Sequence, residues 1–304
     1  MQFYPIGAIF VAGLLCFVAC SDSGDETGLG PAEFRFEIVR LDKGTLRVEA
    51  KVLAIGSSDD GRFPEEGAVA ILEVTRGDAA YLEAGDVCRA TVIDFSGNVF
   101  RIGSIWPAGP GLMEHLEQAN LNLRRDVQRR GRGAAREVGA LIPDFAVLDQ
   151  DGELLDSSFL EGKTTLINFF FTRCPNPLMC PAATQRLQVM LEQASEAGLT
   201  NLQVLSLSFD PEHDAPGILK DYAQAYQLDE TRFRLGTGPR QALDDLRALV
   251  GIATRKDPKL VIDHTFRIVV VDRDRRILTE ILGPAWSVEN TLARIRKLLQ
   301  EEGK

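Results

Sequence analysis

Two cysteines carry the strongest chemical signal in the chain. Cys174 and Cys180 stand in FFFTRCPNPLMCPAAT, between an apolar run and a segment whose helix would open at Pro181. The unpaired N–H groups and positive dipole end at such a start stabilise a thiolate and pull a thiol pKa toward neutrality. Five residues separate the sulfurs, and Pro175 and Pro177 bend that loop. Both thiols can then face one side, for a soft metal or for a disulfide, and a purely structural disulfide tying the loop is a competing use. His264, in VIDHTFRIVVVD, precedes a second apolar run. A neutral imidazole beside two thiolates would suit copper in either oxidation state, because thiolate satisfies Cu(I) and imidazole Cu(II); zinc would ask for a fourth ligand or a water. Taken alone, a single His reads equally as a surface or satisfied core residue.

The other candidates are weaker. Asp210 and Pro211 in SFDPEHD read as turn chemistry, Asp214 as the N-cap of the helix that follows, and His213 as a solvent-facing turn residue. Asp263 could orient His264 as a hydrogen-bond acceptor, although adjacent strand residues point to opposite faces. Met179, inside the Cys loop, offers a thioether or an apolar plug. Cys88, in DVCRATVI, alternates with apolar neighbours and reads as a buried, inert thiol. A thiol peroxidase would need Thr three positions before its reactive Cys; that position is Phe171, with Thr172 one place too late.

The elements that must position the pair follow from hydrophobic period. TTLINFFFTR is a buried strand, Pro181 to Ala197 a helix, LQVLSLSF a strand and Asp214 to Gln227 a helix. A short strand at Arg232 to Leu235, a helix at Pro239 to Val250, strands at Phe266 to Val271 and Arg276 to Leu282, and a helix at Ser287 to Gln300 complete the series. An order that begins β-α-β and ends β-β-α is thioredoxin-like, a mixed sheet flanked by helices. Ahead of it, FRFEIVR, TLRVEAKVLAI, AVAILEVT, DVCRATVIDF and NVFRIGSI alternate between turn clusters, as in a small antiparallel barrel or sandwich. Leu112, Leu116, Ala119, Leu123 and Val127 sit at helical spacing and run into an Arg-rich stretch, Arg124 to Arg136, that reads as a solvated helical linker.

The chain has 304 residues, 45% of them hydrophobic, and a net charge of −10, which supports packed domains and argues against a polyanion partner such as nucleic acid. Five Cys and three His suffice for one compact soft-metal or redox site and not for a disulfide-stapled scaffold. Residues 1–21 carry no charge, and the apolar run Ile6 to Ala19 is shorter than the roughly 20 residues of a spanning helix. Its end, Phe17-Val18-Ala19-Cys20, resembles a bacterial lipobox with Phe17 where Leu is usual, which implies a diacylated Cys20; an ordinary cleaved signal or a short uncleaved anchor is the alternative. The expected division is a signal peptide over 1–20, a tether over 21–33, a small β domain over 34–106, a helical Arg-rich linker over 107–137 and a thioredoxin-like domain over 138–304.

From Gly139 to about Leu299 the chain resembles the Sco/SenC copper chaperones of respiratory oxidase assembly, through IPDFAVLDQDGELL, NFFFTRCPNPLMCP, SLSFDPEHDAPGILKDYA and DHTFRIVVVD. The resemblance implies copper held by Cys174, Cys180 and His264, with Cys174 and Cys180 also a redox pair. It implies a membrane-anchored protein outside the cytoplasm that hands copper to an apo-cytochrome oxidase copper-centre subunit or another copper carrier. A thiol:disulfide oxidoreductase that reduces client cysteines is the second function it implies. The family usually places three residues between the cysteines; this chain places five. The β segment is similar to small copper-binding barrels sometimes fused to such domains, yet residues 31–104 hold neither the His nor the Met those barrels use. It is therefore expected to be a metal-free docking or spacer module.

Overall fold

The computed structural model describes residues 29–30, 32–57, 63–131, 135–256 and 262–302. Its first sheet contains β1 (Glu33–Asp42), β2 (Arg47–Ile55), β3 (Val69–Glu73), β4 (Val87–Ser96), β5 (Val99–Ile102) and the two-residue β6 (Trp106–Pro107), with helix α1 (Arg76–Tyr81) between β3 and β4. The strand order is β1-β2-β3-β5-β4, and β4 pairs back onto β1, so five strands close into a barrel. Every pairing is antiparallel except β3 with β5, which are parallel. That order, with a helix between the third and fourth strands, is the OB-type barrel. Period-two alternation drives closure: Phe34, Phe36 and Ile38 of β1 and Val48, Ala50 and Val52 of β2 all turn inward and are essentially unexposed. Outside, Arg47 faces Glu73 and Arg101 faces Asp94 in a row of opposite charges that neutralises itself. Helix α1 was not anticipated; its six residues are set by a capping box in which Thr75 and Asp78 bond each other's backbone N–H.

The linker forms two helices rather than one, α2 (Leu112–Ala119) and α3 (Leu121–Arg130), broken at Asn120. The buried Asn120 amide donates to the carbonyls of Leu116 (2.7 Å) and Ala146 (2.8 Å) and accepts from the Ala146 N–H (3.1 Å). One side chain thus serves as a strand partner and fixes the linker to the second sheet. Leu116 and Leu123 are fully buried, whereas Arg124, Arg125, Arg129 and Arg130 remain exposed.

The second sheet has the order β15-β14-β9-β10-β11-β7-β8. Its elements are β7 (Ala146–Asp149), β8 (Leu154–Asp156), β9 (Thr164–Phe170), α4 (Cys180–Glu196), β10 (Leu202–Ser208), α5 (Pro216–Ala225), β11 (Phe233–Thr237), α6 (Arg240–Leu249), β12 (Thr254–Lys256), β13 (Ile262–His264), β14 (Arg267–Val271), β15 (Ile277–Leu282) and α7 (Val288–Glu302). Strands β9, β10 and β11 run parallel, while β14 is antiparallel to β9, and β15 to β14. Every residue of β9 and β10 is buried, as central parallel strands require. This is the expected thioredoxin-like arrangement, extended by the β7–β8 hairpin and the β12–β13 ladder. No described helix is long and apolar enough to cross a membrane.

Candidate metal and redox site

Strand β9 ends at Phe170, and the chain turns out of the sheet to carry Cys174 before re-entering at α4. The five residues between the cysteines are folded up around Asn176, whose side chain accepts from the Leu178 N–H (3.0 Å) and whose carbonyl accepts from Met179 N–H (3.1 Å). This turn brings the sulfurs together despite the long spacing. Cys180 occupies the first turn of α4, one residue earlier than the expected start, with Met179 as the N-cap and Pro181 next. Cys174 is half-buried and Cys180 is 3% exposed; both are free thiols.

The two thiols are unequal. A hydrogen bond from Cys180 is the largest influence on Cys174 and lowers its pKa to about 6, against the opposing effect of burial. Cys180 is pushed well above the ordinary thiol range because it donates that bond and lies in the core. The pair therefore holds one proton, on Cys180, with the thiolate on the accessible sulfur.

The root of the loop is gripped from the segment after β10. Thr172 donates through its hydroxyl (2.5 Å) and its N–H (3.2 Å) to the Asp214 carboxylate, which also accepts from the Ser208 hydroxyl (2.6 Å). Arg173 pairs with Asp210 at 2.7 Å. Asp214 is not the N-cap: α5 begins at Pro216, its N-cap Ala215 contributes no capping side chain, and Asp214 is fully buried beneath the Cys loop. Burial raises its pKa, with Ser208 and Thr172 pulling the other way. His213 is half-buried rather than solvent-facing, and its carbonyl accepts from Ser104 of the barrel. The DPEHD motif signalled this segment in the sequence, but nothing local announced Thr172 and Arg173 as its partners. Tyr222 of α5 shares a hydrogen bond with Thr184 of α4 (3.0 Å), and burial is the chief cause that raises its pKa.

His264 ends β13, opposite Thr254. Because β14 runs antiparallel to β9, the segment that enters β14 from His264 arrives at the carboxyl end of β9, the pole that carries the Cys loop. The side chains of Asp263 and His264 lie outside the described residues, as does Cys20. Among the described residues, no group of three or more His, Cys, Asp and Glu is placed to hold a metal ion. Cys88 does not join the pair: it faces the barrel core, 1% exposed, and burial pushes its pKa up.

The family model for SCO1/SenC matches residues 133–300, more than half of the chain. The chain belongs to the SCO1/SenC family. An SCO2-like protein of Rickettsia conorii is 28% identical over 141 residues, a match covering 44% of this chain and 66% of that one. An SCO1 protein homolog of Bacillus subtilis is 28% identical over 153 residues, covering 49% of this chain and 76% of that protein. The crystal structure of Arabidopsis thaliana ScoI with copper bound aligns over 53% of this SCO1/SenC chain and 99% of its own, at 18% identity and a TM-score of 0.49. The barrel lies outside the matched family segment.

Proposed function

We propose that this SCO1/SenC protein is a membrane-tethered copper chaperone whose cargo sits on Cys174, Cys180 and His264. The observation that supports it most is the unequal thiol pair at the start of α4, inside the family-matched segment. Two sulfurs and one imidazole form a soft, low-coordinate donor set suited to copper. Cys174 offers a ready thiolate, and Cys180 releases its proton as the metal arrives, so uptake is favoured by rising pH. Half-exposure of Cys174 leaves a path for a partner's ligand to reach the metal. In this reading a diacylated Cys20 holds the protein at the membrane outside the cytoplasm, two acyl chains being enough for stable anchoring. The recipient is an apo-cytochrome oxidase copper-centre subunit or another copper carrier, and the barrel of 34–106 carries no copper of its own.

The same asymmetry supports a second reading, thiol:disulfide exchange. The Cys174 thiolate attacks a client disulfide, one client sulfur leaves as thiolate, and a mixed disulfide forms. Cys180 then loses its proton and attacks Cys174, which releases the second client thiolate and closes the Cys174–Cys180 disulfide. The client gains two electrons and the pair loses them. Copper titration of the reduced protein beside a glutathione equilibration of the pair separates the two. One tightly held copper per chain with a strongly reducing pair supports storage and delivery, whereas weak copper binding with a moderate potential supports exchange and refutes delivery.

A further inference from the structure

The barrel is joined to the thioredoxin-like part by more than the linker. Helices α1 and α5 cross at two glycines. A Cβ on Gly77 would stand 1.9 Å from the Gly217 carbonyl oxygen and 2.8 Å from the Asp221 nitrogen. A Cβ on Gly217 would stand 1.8 Å from Asp78 Oδ1 and 2.9 Å from the Asp78 nitrogen. Backbone meets backbone here, so neither position can take a side chain without separating the helices. Asp78 is 3% exposed and lies against the first turn of α5, a helix without a capping side chain of its own. Beside this crossing, the Ser104 hydroxyl donates to the His213 carbonyl (3.1 Å).

What the barrel holds is the segment that grips the Cys loop. Within eight residues, Asp210 binds Arg173, His213 binds Ser104, Asp214 binds Thr172, and Gly217 meets α1. Segment 210–217 is thus clamped on one side by the barrel and on the other holds the two residues preceding Cys174. We infer that the OB-type barrel is a built-in brace that sets the geometry of the Cys174/Cys180 pair, with Gly77, Gly217 and Ser104 as positioning residues. This deepens the reading of the pair as the working site and replaces the idea of a free spacer. Packed interfaces shift between discrete arrangements rather than deform smoothly, so prying α1 from α5 should relax the loop root.

The test uses the full chain and reads the pair itself, without copper. Gly77→Ala and Gly217→Ala push the same interface from opposite sides, and Ala is intrinsically the better helix residue, so a loss cannot come from α-helix propensity. Gly109→Ala, in open space, is the control. Each variant is equilibrated with glutathione and the Cys174–Cys180 dithiol/disulfide ratio is measured. Both interface variants should shift the equilibrium constant at least threefold in the same direction, with the control unchanged. Ser104→Ala, which adds no atom and removes one hydrogen bond, should shift it in the same direction by a smaller factor and stands in if either glycine variant fails to fold. Equilibrium constants within 1.5-fold of wild type in the variants that fold, Ser104→Ala included, overturn the brace. Because copper is absent from the assay, failure of the brace and failure of the copper reading are separate results.

Discussion

Removing the Cys180 thiol isolates what it does for Cys174. In Cys180→Ala the hydrogen bond that chiefly lowers the Cys174 pKa is gone, and the remaining backbone hydrogen bonds are opposed by burial, so the pKa should return toward 9.0 from about 6. At pH 7 the wild-type sulfur is then roughly nine-tenths thiolate and the variant's about one-hundredth, a ratio of about 90. Nucleophilicity works the other way: with a Brønsted slope of about 0.4–0.5, three pKa units make the variant's thiolate about 16- to 32-fold more reactive. The net expectation is a wild type roughly 3- to 6-fold faster toward a dipyridyl disulfide at pH 7 and about 30- to 60-fold faster at pH 5, overtaken by the variant between about pH 7 and 8. Peptide-resolved mass spectrometry follows Cys174 separately from the other thiols. Superimposable profiles, or a wild-type midpoint near the ordinary thiol value, would refute the shared-proton arrangement.

Asp214→Ala leaves the Thr172 N–H and hydroxyl and the Ser208 hydroxyl without their acceptor; at about 1–3 kcal/mol for the buried Ser208 hydroxyl and about half of that for each donor of the half-buried Thr172, the loss should be roughly 2–6 kcal/mol, with Asp214→Asn costing less than half as much, read from urea midpoints. Asp78, raised by burial to about 6 from 3.8, binds its proton more tightly folded than unfolded, so its contribution to stability should fall by about 3 kcal/mol as pH climbs from about 3 to 7. Asp78→Asn should flatten that slope and be the more stable protein at pH 7; an unchanged slope would place the titration elsewhere. Cys20→Ala should release the protein from the membrane fraction or leave it unprocessed, and unchanged size with unchanged membrane association would point to an uncleaved anchor.

The readings that held rest on local rules. Alternation in FRFEIVR and LQVLSLSF reports which face is buried, and Pro181 marks a helix start because its missing N–H is one the helix leaves unpaired anyway. What escaped depends on partners far along the chain. Asp214 has the type and place of a cap for α5, yet Thr172, 42 positions away, and burial under the Cys loop claim its carboxylate instead. The linker pattern continues through Asn120 without interruption, but the amide pairs with Ala146 and divides the helix. Gly77 and Gly217 look like unremarkable helix-weakening residues until α1 and α5 are seen to cross on them. The Cys loop was legible as chemistry, and the turn around Asn176 that lets five residues do the work of a shorter loop was not.

The central claim is that the paired sulfurs and His264 form one copper site. X-ray absorption of the reduced full-length protein loaded with one equivalent of Cu(I), and separately of Cu(II), beside the same spectra of His264→Ala, tests it directly. Two sulfurs with one nitrogen in the wild type, and loss of that nitrogen with weakened Cu(II) binding in the variant, are the predicted results. A shell without both sulfurs, or a Cu(II) spectrum untouched by His264→Ala, would contradict it.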